Sequence, residues 1–236
     1  MGGKTKKCCI VIPAFREEKR IGAVVRECLE YCPDVVVVDD GSDDRTGQAA
    51  EAAGAHVVAQ VQNQGKGEAI RRGIQYAAEH GFDLVITLDA DGQHAPSDIP
   101  AFLAAHARTG ARAIVGNRMG DTAAMPWIRR ATNLFMSRLL SNAMRCHVPD
   151  TQCGYRLYEK STFPLFERMK DTRGYAAESE ILLRLTMEGV KIAAVTIQTI
   201  YGDETSKIHP LRDTFRFFRM LRRFKKMRRR LERGLA

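Results

Sequence analysis

Two aspartates separated by a single residue carry the clearest chemistry in this sequence. Asp89 and Asp91 follow a short apolar segment, and Gly92 comes directly after them. A turn through Ala90 and Gly92 at a strand end allows both carboxylates to reach one cation. Hard divalent ions such as Mg²⁺ or Mn²⁺ take carboxylate oxygens and complete their octahedron with water and substrate phosphates. The motif therefore predicts a metal site that also receives a phosphate-bearing substrate.

A second acidic motif follows an earlier apolar segment. In the run from Asp39 to Ser42, a carboxylate can accept a hydrogen bond from a ribose hydroxyl or a base N–H. The alternative interpretation is a turn in which Asp43 or Asp44 caps the next helix. Both interpretations hold together if they apply to different residues of the run.

Residues 63–67 (Asn-Gln-Gly-Lys-Gly) precede a predicted helix and combine glycine-flanked amides with one lysine, which suits an anion. The segment lacks the spacing of a Walker loop. The first apolar strand is not followed by a G-x-G-x-x-G motif, which disfavours a nicotinamide or flavin cofactor. Together these observations predict a nucleotide ligand rather than a dinucleotide.

Alternating strands and helices must position these motifs. Five short Val- and Ile-rich runs alternate with four helical segments, which is typical of a mostly parallel sheet with helices on both faces. The polar motifs follow the strands, so we expect them at the carboxyl edge of the sheet, where open α/β sheets bind ligands. The predicted strands are 8–13, 34–39, 55–60, 84–88 and 113–115, and the predicted helices are 17–31, 44–53, 67–80 and 97–108.

The second half of the chain alternates less regularly. A loop beginning at Asp150 is predicted to enter a strand near Leu157. The other predicted elements are helices over 126–145, 177–188 and 211–233 and a strand over 191–199.

No linker or internal repeat divides the chain, and its 236 residues suffice for one large domain. We expect a single α/β domain over residues 1–211, followed by a basic amphipathic helix over 212–236. The six cysteines show no C-x-x-C pair, so we expect buried, reduced thiols.

The net charge of +9 belongs entirely to the last segment of the chain. Residues 212–236 hold eleven basic and two acidic residues, so residues 1–211 are neutral overall. Apolar residues recur there at three- and four-residue steps, at positions 215, 218, 220 or 221, 224, 227 and 231. The pattern predicts a cationic helix on an anionic membrane surface, with helix 126–145 beside it and Trp127 at the interface. The alternative is that this apolar stripe packs on the domain or on another subunit of a homo-oligomer.

A nucleic-acid partner is disfavoured, because the positive charge is confined to one terminal helix and the acidic strand ends would repel phosphates. No apolar run approaches the roughly 18 residues of a membrane span, and no hydrophobic stretch follows the basic N-terminus. We therefore expect a cytoplasmic protein that associates peripherally with the inner face of the membrane.

Six motifs occur in a fixed order along the chain. They are Ile-Pro-Ala-Phe-x-Glu at 12–17, Val-Asp-Asp-Gly-Ser-x-Asp-x-Thr at 38–46, Gly-Lys-Gly at 65–67, Asp-Ala-Asp-Gly-Gln-His at 89–94, Gly-x-Arg at 116–118 and Ser-Lys at 206–207. This set resembles the family 2 glycosyltransferases of the GT-A fold, which has a Rossmann-like, mostly parallel sheet. Within that family it most resembles the polyprenyl-phosphate sugar synthases typified by dolichyl-phosphate mannose synthase. The likeness covers roughly residues 8–209.

The resemblance implies a role for each matching position. The nucleoside of the donor would be contacted by Pro13, Phe15, Glu17 and Asp40. The metal and the donor diphosphate would be held by Asp89, Asp91 and Gln93, with the backbone of Ala90 lining the site. The phosphates would be reached by Arg118 and Lys207.

Two positions depart from the family pattern. Arg16 stands where these enzymes often have Asn, and Thr199 stands near a position where the mannose synthases carry Arg. The sugar and the base of the donor therefore remain open between GDP-mannose and a UDP-hexose.

The implied reaction is metal-dependent sugar transfer with inversion, in which Asp91, Arg118 and Lys207 help to stabilise charge on the leaving diphosphate. A polyprenyl phosphate acceptor needs no base, because a phosphate monoester has a second pKa of about 6. A saccharide hydroxyl acceptor in envelope polysaccharide assembly needs a base, for which we predict Asp150. A nucleotidyltransferase is disfavoured because residues 13–17 stand in the place of its usual Gly-rich loop.

Overall fold

The computed structural model describes residues 6–120, 125, 127–168, 177–200 and 210–232, with the side chains of 129, 210–216 and 231–232 outside the description. Seven strands and eight α-helices alternate over these ranges. In chain order they are β1 (Cys8–Ala14), α1 (Ile21–Leu29), β2 (Val35–Asp39), α2 (Thr46–Ala52), β3 (His56–Ala59), α3 (Lys66–Glu79), β4 (Leu84–Thr87), α4 (Ile99–Thr109), β5 (Ala113–Asn117), α5 (Trp127–Met144), β6 (Arg156–Glu159), α6 (Phe163–Glu167), α7 (Ala177–Met187), β7 (Ile192–Thr196) and α8 (Pro210–Glu232).

The strands form one sheet in the order β3-β2-β1-β4-β6-β5-β7. All neighbouring pairs are parallel except the two that involve β6, which runs antiparallel to both β4 and β5. The mostly parallel α/β sheet predicted from the sequence is thus confirmed. The insertion of β6 between β4 and β5 was not predicted.

Alternate residues of the central strands face opposite sides of the sheet. Ile10 and Val37 belong to an apolar core on one side, whereas Val11 and Val38 belong to a core on the other. Helices α1, α4, α5 and α8 contribute to the first core, and α3 and α6 contribute to the second. Because helices cover both faces, these strands are apolar throughout rather than alternating with polar residues.

Most of the predicted elements are confirmed, with shifted ends. The first helix begins at Ile21 rather than at residue 17, and a turn precedes it in which the Glu17 carbonyl accepts hydrogen bonds from the N–H groups of Arg20 and Ile21. The short helix α6 was not predicted. All six cysteines are free thiols, four of them buried, as expected.

Helix α8 packs on the rest of the domain. Phe217, Leu221 and Phe224 are buried in the same core as residues of β1 and β4. Arg228 Nη1 also donates a hydrogen bond of 2.6 Å to the Ala143 carbonyl at the end of α5. The expectation that the apolar stripe of this helix lies on a membrane is therefore wrong for its described part, because the protein core already covers that stripe.

The buried face of helix α8 differs from the apolar stripe that we predicted. Phe218, which we had assigned to the apolar stripe, is partly exposed, and its neighbour Phe217 takes the buried position. Among the helices that the structure describes, none has the length and apolarity needed to cross a bilayer.

A glycine in α3 sets the distance between that helix and the sheet. A Cβ on Gly73 would lie 2.2 Å from Val11 Cγ1, whereas a Cβ on Gly22 in α1 would meet no atom closer than 3.5 Å. We expect Gly73→Ala to lower the free energy of unfolding by about 2 kcal/mol through overpacking. The matched control, Gly22→Ala, should raise it by about 0.5–1 kcal/mol. Guanidinium unfolding measures both values, and equal effects of the two variants would contradict the close approach.

Candidate active site

The predicted site residues gather at one edge of the sheet. Strands β1, β2, β4 and β5 all end there, because they run in the same direction. Strand β6 runs the opposite way, so the loop that precedes it, residues 150–155, arrives at the same edge. The Thr87 hydroxyl donates a hydrogen bond of 2.9 Å to the Gly154 carbonyl and joins this loop to the end of β4.

A lysine at the start of α3 is shared by two carboxylates. Lys66 Nζ lies 2.6 Å from Asp89 Oδ1 and 2.6 Å from Glu178 Oε1. Burial raises the pKa of Asp89, but Lys66, together with His94 and Arg118, outweighs burial and lowers that pKa to about 2. Burial lowers the pKa of Lys66, but the two carboxylates outweigh it and raise that pKa well above its usual value. Both groups are therefore ionised at neutral pH.

The sequence analysis missed Glu178. It lies in the first turn of α7 and is buried beside Lys66, whereas Glu180 on the same helix pairs with Arg184 one turn further on. No local signal separates the two glutamates, because only the approach of α3 decides which one faces the site.

Asp91 and Gln93 occupy a turn after Asp89. Asp91 Oδ1 accepts a hydrogen bond of 3.0 Å from the Gln93 N–H, and Gly92 takes a φ of +78° between them. Ala90 is buried, whereas Asp91 and Gln93 are partly exposed. The turn that we predicted through Gly92 is present, but the Asp89 carboxylate points to Lys66.

Formal charges at this edge favour a divalent cation beside a diphosphate. Among the described residues, the charged groups around the β4 end, the 150–155 loop and the α7 start include three cations (Lys66, Arg118 and Arg156) and four carboxylates (Asp89, Asp91, Asp150 and Glu178). The surplus of negative charge repels a diphosphate unless a cation intervenes. Within the described ranges, no group of three His, Cys, Asp or Glu side chains could hold an ion by itself. These residues fit an ion that Asp91 shares with substrate oxygens and water.

His94 supports the turn as a neutral ring. The Asp89 N–H donates a hydrogen bond of 3.1 Å to His94 Nδ1, which places the ring proton on Nε2. Burial lowers the pKa of His94 to about 4, in spite of the nearby Asp89 carboxylate. The ring is tilted against Tyr155, with 5.1 Å between the ring centroids.

Arg118 and Asp150 form a buried ion pair. Arg118 Nε lies 2.7 Å from Asp150 Oδ2, and Nη2 lies 3.0 Å from Oδ1. Burial lowers the pKa of Arg118, but this hydrogen bonding and the nearby charges of Asp150 and Asp89 together outweigh burial and raise it. Asp150 has no exposed surface and also accepts a hydrogen bond from the Gln152 N–H. The structure therefore corrects our prediction of Asp150 as a base, because its oxygens hold Arg118 and are closed to an acceptor.

Arg156 at the start of β6 was also missed. Its buried guanidinium donates to three backbone carbonyls, those of Thr151 (2.8 Å), Cys153 (2.7 Å) and Glu178 (2.7 Å). These bonds join the loop 150–155 to the start of α7. Arg156 therefore positions the site without lining it.

Asp40 is bound by the loop 63–67, which we had predicted to bind an anionic ligand. Its oxygens accept hydrogen bonds from the Gln60 side chain (2.9 Å) and from the N–H groups of Gln64 (2.8 Å) and Gly65 (2.7 Å). Burial raises the pKa of Asp40, although these N–H groups act in the opposite direction. The segment 63–67 therefore does bind an anion through its amides, but the anion is the protein's own Asp40.

Three partly exposed residues lie at the end of β1 or directly after it. They are Pro13, Phe15 and Glu17. The Glu17 N–H donates to the Thr46 hydroxyl at 2.8 Å, which ties this segment to the start of α2. Thr46 in turn donates through its N–H and its hydroxyl to Asp44, so Asp44 takes the capping role that we had left open.

Arg16 adopts a φ of +56°, a left-handed conformation in which Asn is favoured over other non-glycine residues. Its guanidinium makes an exposed ion pair with Asp43. Lys207, which we had predicted to reach the phosphates, lies outside the described residues.

Comparison with known proteins identifies the family. The model of "Glycosyl transferase family 2" matches residues 9–164 of this chain. The chain belongs to glycosyltransferase family 2. It is 30% identical over 215 residues to the UDP-N-acetylglucosamine–dolichyl-phosphate N-acetylglucosaminyltransferase of Methanococcus voltae, covering 82% of this chain and 86% of the relative. It is 33% identical over 192 residues to the dolichyl-phosphate hexose transferase of Haloferax volcanii, covering 80% of each.

Solved structures confirm the GT-A-like fold of this glycosyltransferase. Glucosyl-3-phosphoglycerate synthase from Mycobacterium tuberculosis, crystallised with Mn²⁺, UDP and phosphoglyceric acid, superposes with a TM-score of 0.67 at 22% identity. The match covers 85% of this chain and 72% of that chain. The predicted α/β architecture is thus confirmed.

Gly154 leaves the space that the Lys66–Asp89 pair occupies in this glycosyltransferase. A Cβ at Gly154 would lie 2.7 Å from Asp89 Oδ1 and 2.8 Å from Lys66 Nζ, and its φ lies outside the left-handed region. We expect Gly154→Ala to lower sugar transfer about tenfold or more, because a misplaced charged group weakens transition-state stabilisation. Initial rates measure the effect, with Gly22→Ala as the matched control. Wild-type rates in Gly154→Ala would contradict the importance of this contact.

His94 gives the glycosyltransferase a pH-dependent stability. Its folded pKa of about 4 lies below the ordinary value of 6.5, so the unfolded chain binds the extra proton between these values. The free energy of unfolding should therefore fall by about 3 kcal/mol as pH drops from 6.5 to 4. Guanidinium unfolding at a series of pH values should show a smaller fall for His94→Gln, with His147→Gln as the control for losing an exposed histidine. If the free energy of unfolding falls equally with pH in the wild type and in His94→Gln, this would contradict the assignment of the pH dependence to His94.

Proposed function

We propose that this enzyme transfers a sugar from a nucleotide sugar, GDP-mannose or a UDP-hexose, to a polyprenyl phosphate at a membrane surface. The observation that carries the choice of acceptor is the closed Arg118–Asp150 pair. It removes the candidate base that a saccharide hydroxyl would need. A phosphate monoester is already largely a dianion near neutral pH and attacks without a base. The names of two relatives, which include dolichyl phosphate, support the same acceptor class.

The donor side of the site is arranged around charge. Asp91 and Gln93 would hold Mg²⁺ or Mn²⁺, which when bound supplies positive charge beside the leaving diphosphate. Lys66 neutralises part of the charge of Asp89 and Glu178, so a diphosphate approaches with less repulsion. Asp150 fixes the orientation of Arg118 before the substrate arrives, so little reorganisation is needed. We retain Lys207 as a proposed phosphate contact.

The nucleoside side would be formed by the end of β1 and the loop that Asp40 organises. Pro13, Phe15 and Glu17 are partly exposed there, so they are accessible to a base and a ribose. The buried Asp40 would act mainly by shaping the loop that carries Lys66, since Gly65 and Lys66 are adjacent. The nucleotide would then bridge this loop and the Asp91 turn.

Sugar transfer to lipid tests the proposed function. The wild-type protein, radiolabelled GDP- and UDP-sugars, Mg²⁺ or Mn²⁺ and polyprenyl phosphate should give a labelled product that extracts into organic solvent. We expect Asp91→Asn to lower this transfer by about 100-fold, or about 2.7 kcal/mol of barrier, because it removes the proposed metal ligand. Electron paramagnetic resonance of free Mn²⁺ should show weaker metal binding in the same variant.

The control is Glu180→Gln, which removes a carboxylate on α7 that pairs with Arg184 rather than with Lys66. Labelled product on a saccharide, with none on lipid for any donor, would contradict the proposed acceptor. Unchanged Mn²⁺ binding in Asp91→Asn would contradict the proposed metal ligand.

A further inference from the structure

Helix α5 packs an apolar inner face, which includes Leu140 and Met144, into the core, and it also exposes apolar residues on its outer face. Its inner face carries two buried polar residues, Asn133 (9% exposed) and Ser137 (4%). Its outer face carries large apolar side chains, including Trp127 (77% exposed) and Phe135 (57%). The outer face of a helix on the surface of a soluble domain is normally polar, so these exposed apolar residues are the unusual feature of α5.

The exposed apolar residues of α5 form one patch. Trp127, Ile128, Leu134 and Phe135 are spaced by one and seven residues, so they lie on the same side of the helix. They make up half of the eight large hydrophobic side chains that are exposed in the part of the chain with described side chains. Grouped exposed apolar residues mark a contact surface, whereas scattered ones do not. We call these four residues the α5 patch.

The charges around the α5 patch fit an anionic surface. Helix α5 contains no acidic residue, and Arg130 and Arg138 are exposed on it. Helix α8, which is bonded to the end of α5 through Arg228, adds an outer side of exposed Arg and Lys residues at 219, 222, 223, 225, 226, 229 and 230. A second copy of this chain would bring like charges together. Anionic lipid headgroups complement this charge, and an exposed tryptophan suits the lipid–water interface.

We propose that the α5 patch inserts into the interface of an anionic membrane, with the cationic side of α8 facing the lipid headgroups. This inference deepens the proposed function and rests on it, because it assigns the surface through which the enzyme reaches a lipid acceptor. It also gives the surplus charge of α8 a role, although the apolar stripe of that helix is buried.

The inner face of α5 connects the patch to the active site. The Thr151 N–H donates a hydrogen bond of 3.0 Å to the Ser137 hydroxyl, and the two hydroxyl oxygens are 3.2 Å apart. Thr151 follows Asp150, which holds Arg118. If α5 lies on a membrane, the loop 150–155, which holds Arg118, is therefore within one helix diameter of the lipid headgroups.

Vesicle co-sedimentation of the full chain tests the α5 patch. The probe is a vesicle of phosphatidylcholine with 30% phosphatidylglycerol. Trp127→Gln combined with Phe135→Gln should lower the vesicle partition coefficient at least tenfold, because apolar surface no longer enters the interface. The matched control, Tyr31→Gln combined with Val61→Gln, removes two exposed apolar residues elsewhere and should bind like the wild type. Circular dichroism verifies that both variants are folded.

Transfer assays separate this inference from the proposed function. The ratio of transfer to vesicle-embedded polyprenyl phosphate over transfer to a short-chain, water-soluble prenyl phosphate should fall at least tenfold in the α5 variant. Transfer to neither acceptor in the wild type would contradict the proposed function, whereas the sedimentation result would still decide the membrane surface. Unchanged vesicle binding in the α5 variant would overturn the inference. A second result would also overturn the inference. Analytical ultracentrifugation would show that the wild type is a dimer, and the α5 variant would lose the dimer but keep its vesicle binding.

Discussion

The ammonium group of Lys66, shared between Asp89 and Glu178, joins three segments that are far apart in the chain. The start of α3, the end of β4 and the start of α7 meet at this one group, with both contacts at 2.6 Å. Removing one partner would leave the remaining charges uncompensated at a site that water reaches only in part. Gly154 leaves room for the pair, and Asp40 fixes the residue before Lys66. The site is therefore organised around a cation that the protein itself supplies.

Two arginines extend the same principle to the loop that precedes β6. Asp150 fixes Arg118 through two hydrogen bonds, and Arg156 donates to three carbonyls of the loop and of α7, so the protein sets the orientation of both guanidinium groups. The loop 150–155 is consequently held on one side by buried charge and on the other by Ser137 of α5. Asp150 therefore supplies fixed electrostatics rather than a proton acceptor, which agrees with the proposed acceptor that is already an anion.

The sequence predicted the elements more reliably than the contacts. The strand 35–39 reads Val-Val-Val-Val-Asp, and such an apolar run bounded by polar residues is visible without a structure. A strand was also predicted near Leu157, but the sequence of β6, Arg-Leu-Tyr-Glu, does not show that it inserts antiparallel between β4 and β5. Its antiparallel direction brings the loop 150–155 to the active edge. Glu178 was missed for a related reason, since its neighbour Glu180 has the same local pattern and a different partner.

The sequence by itself determined the family, the mostly parallel sheet and the edge at which the acidic motifs meet. These follow from local periodicity and from the shared direction of parallel strands. Only the tertiary structure decided which partner each charged group has, because ion pairs form over less than 4 Å between residues that are 23 to 112 positions apart in the chain. It also decided which apolar faces are covered. Helices α5 and α8 both carry apolar residues at helical spacing, but the core buries the stripe of α8 and leaves the patch of α5 exposed. A periodic pattern determines that a helix has an apolar face, whereas packing determines what that face contacts.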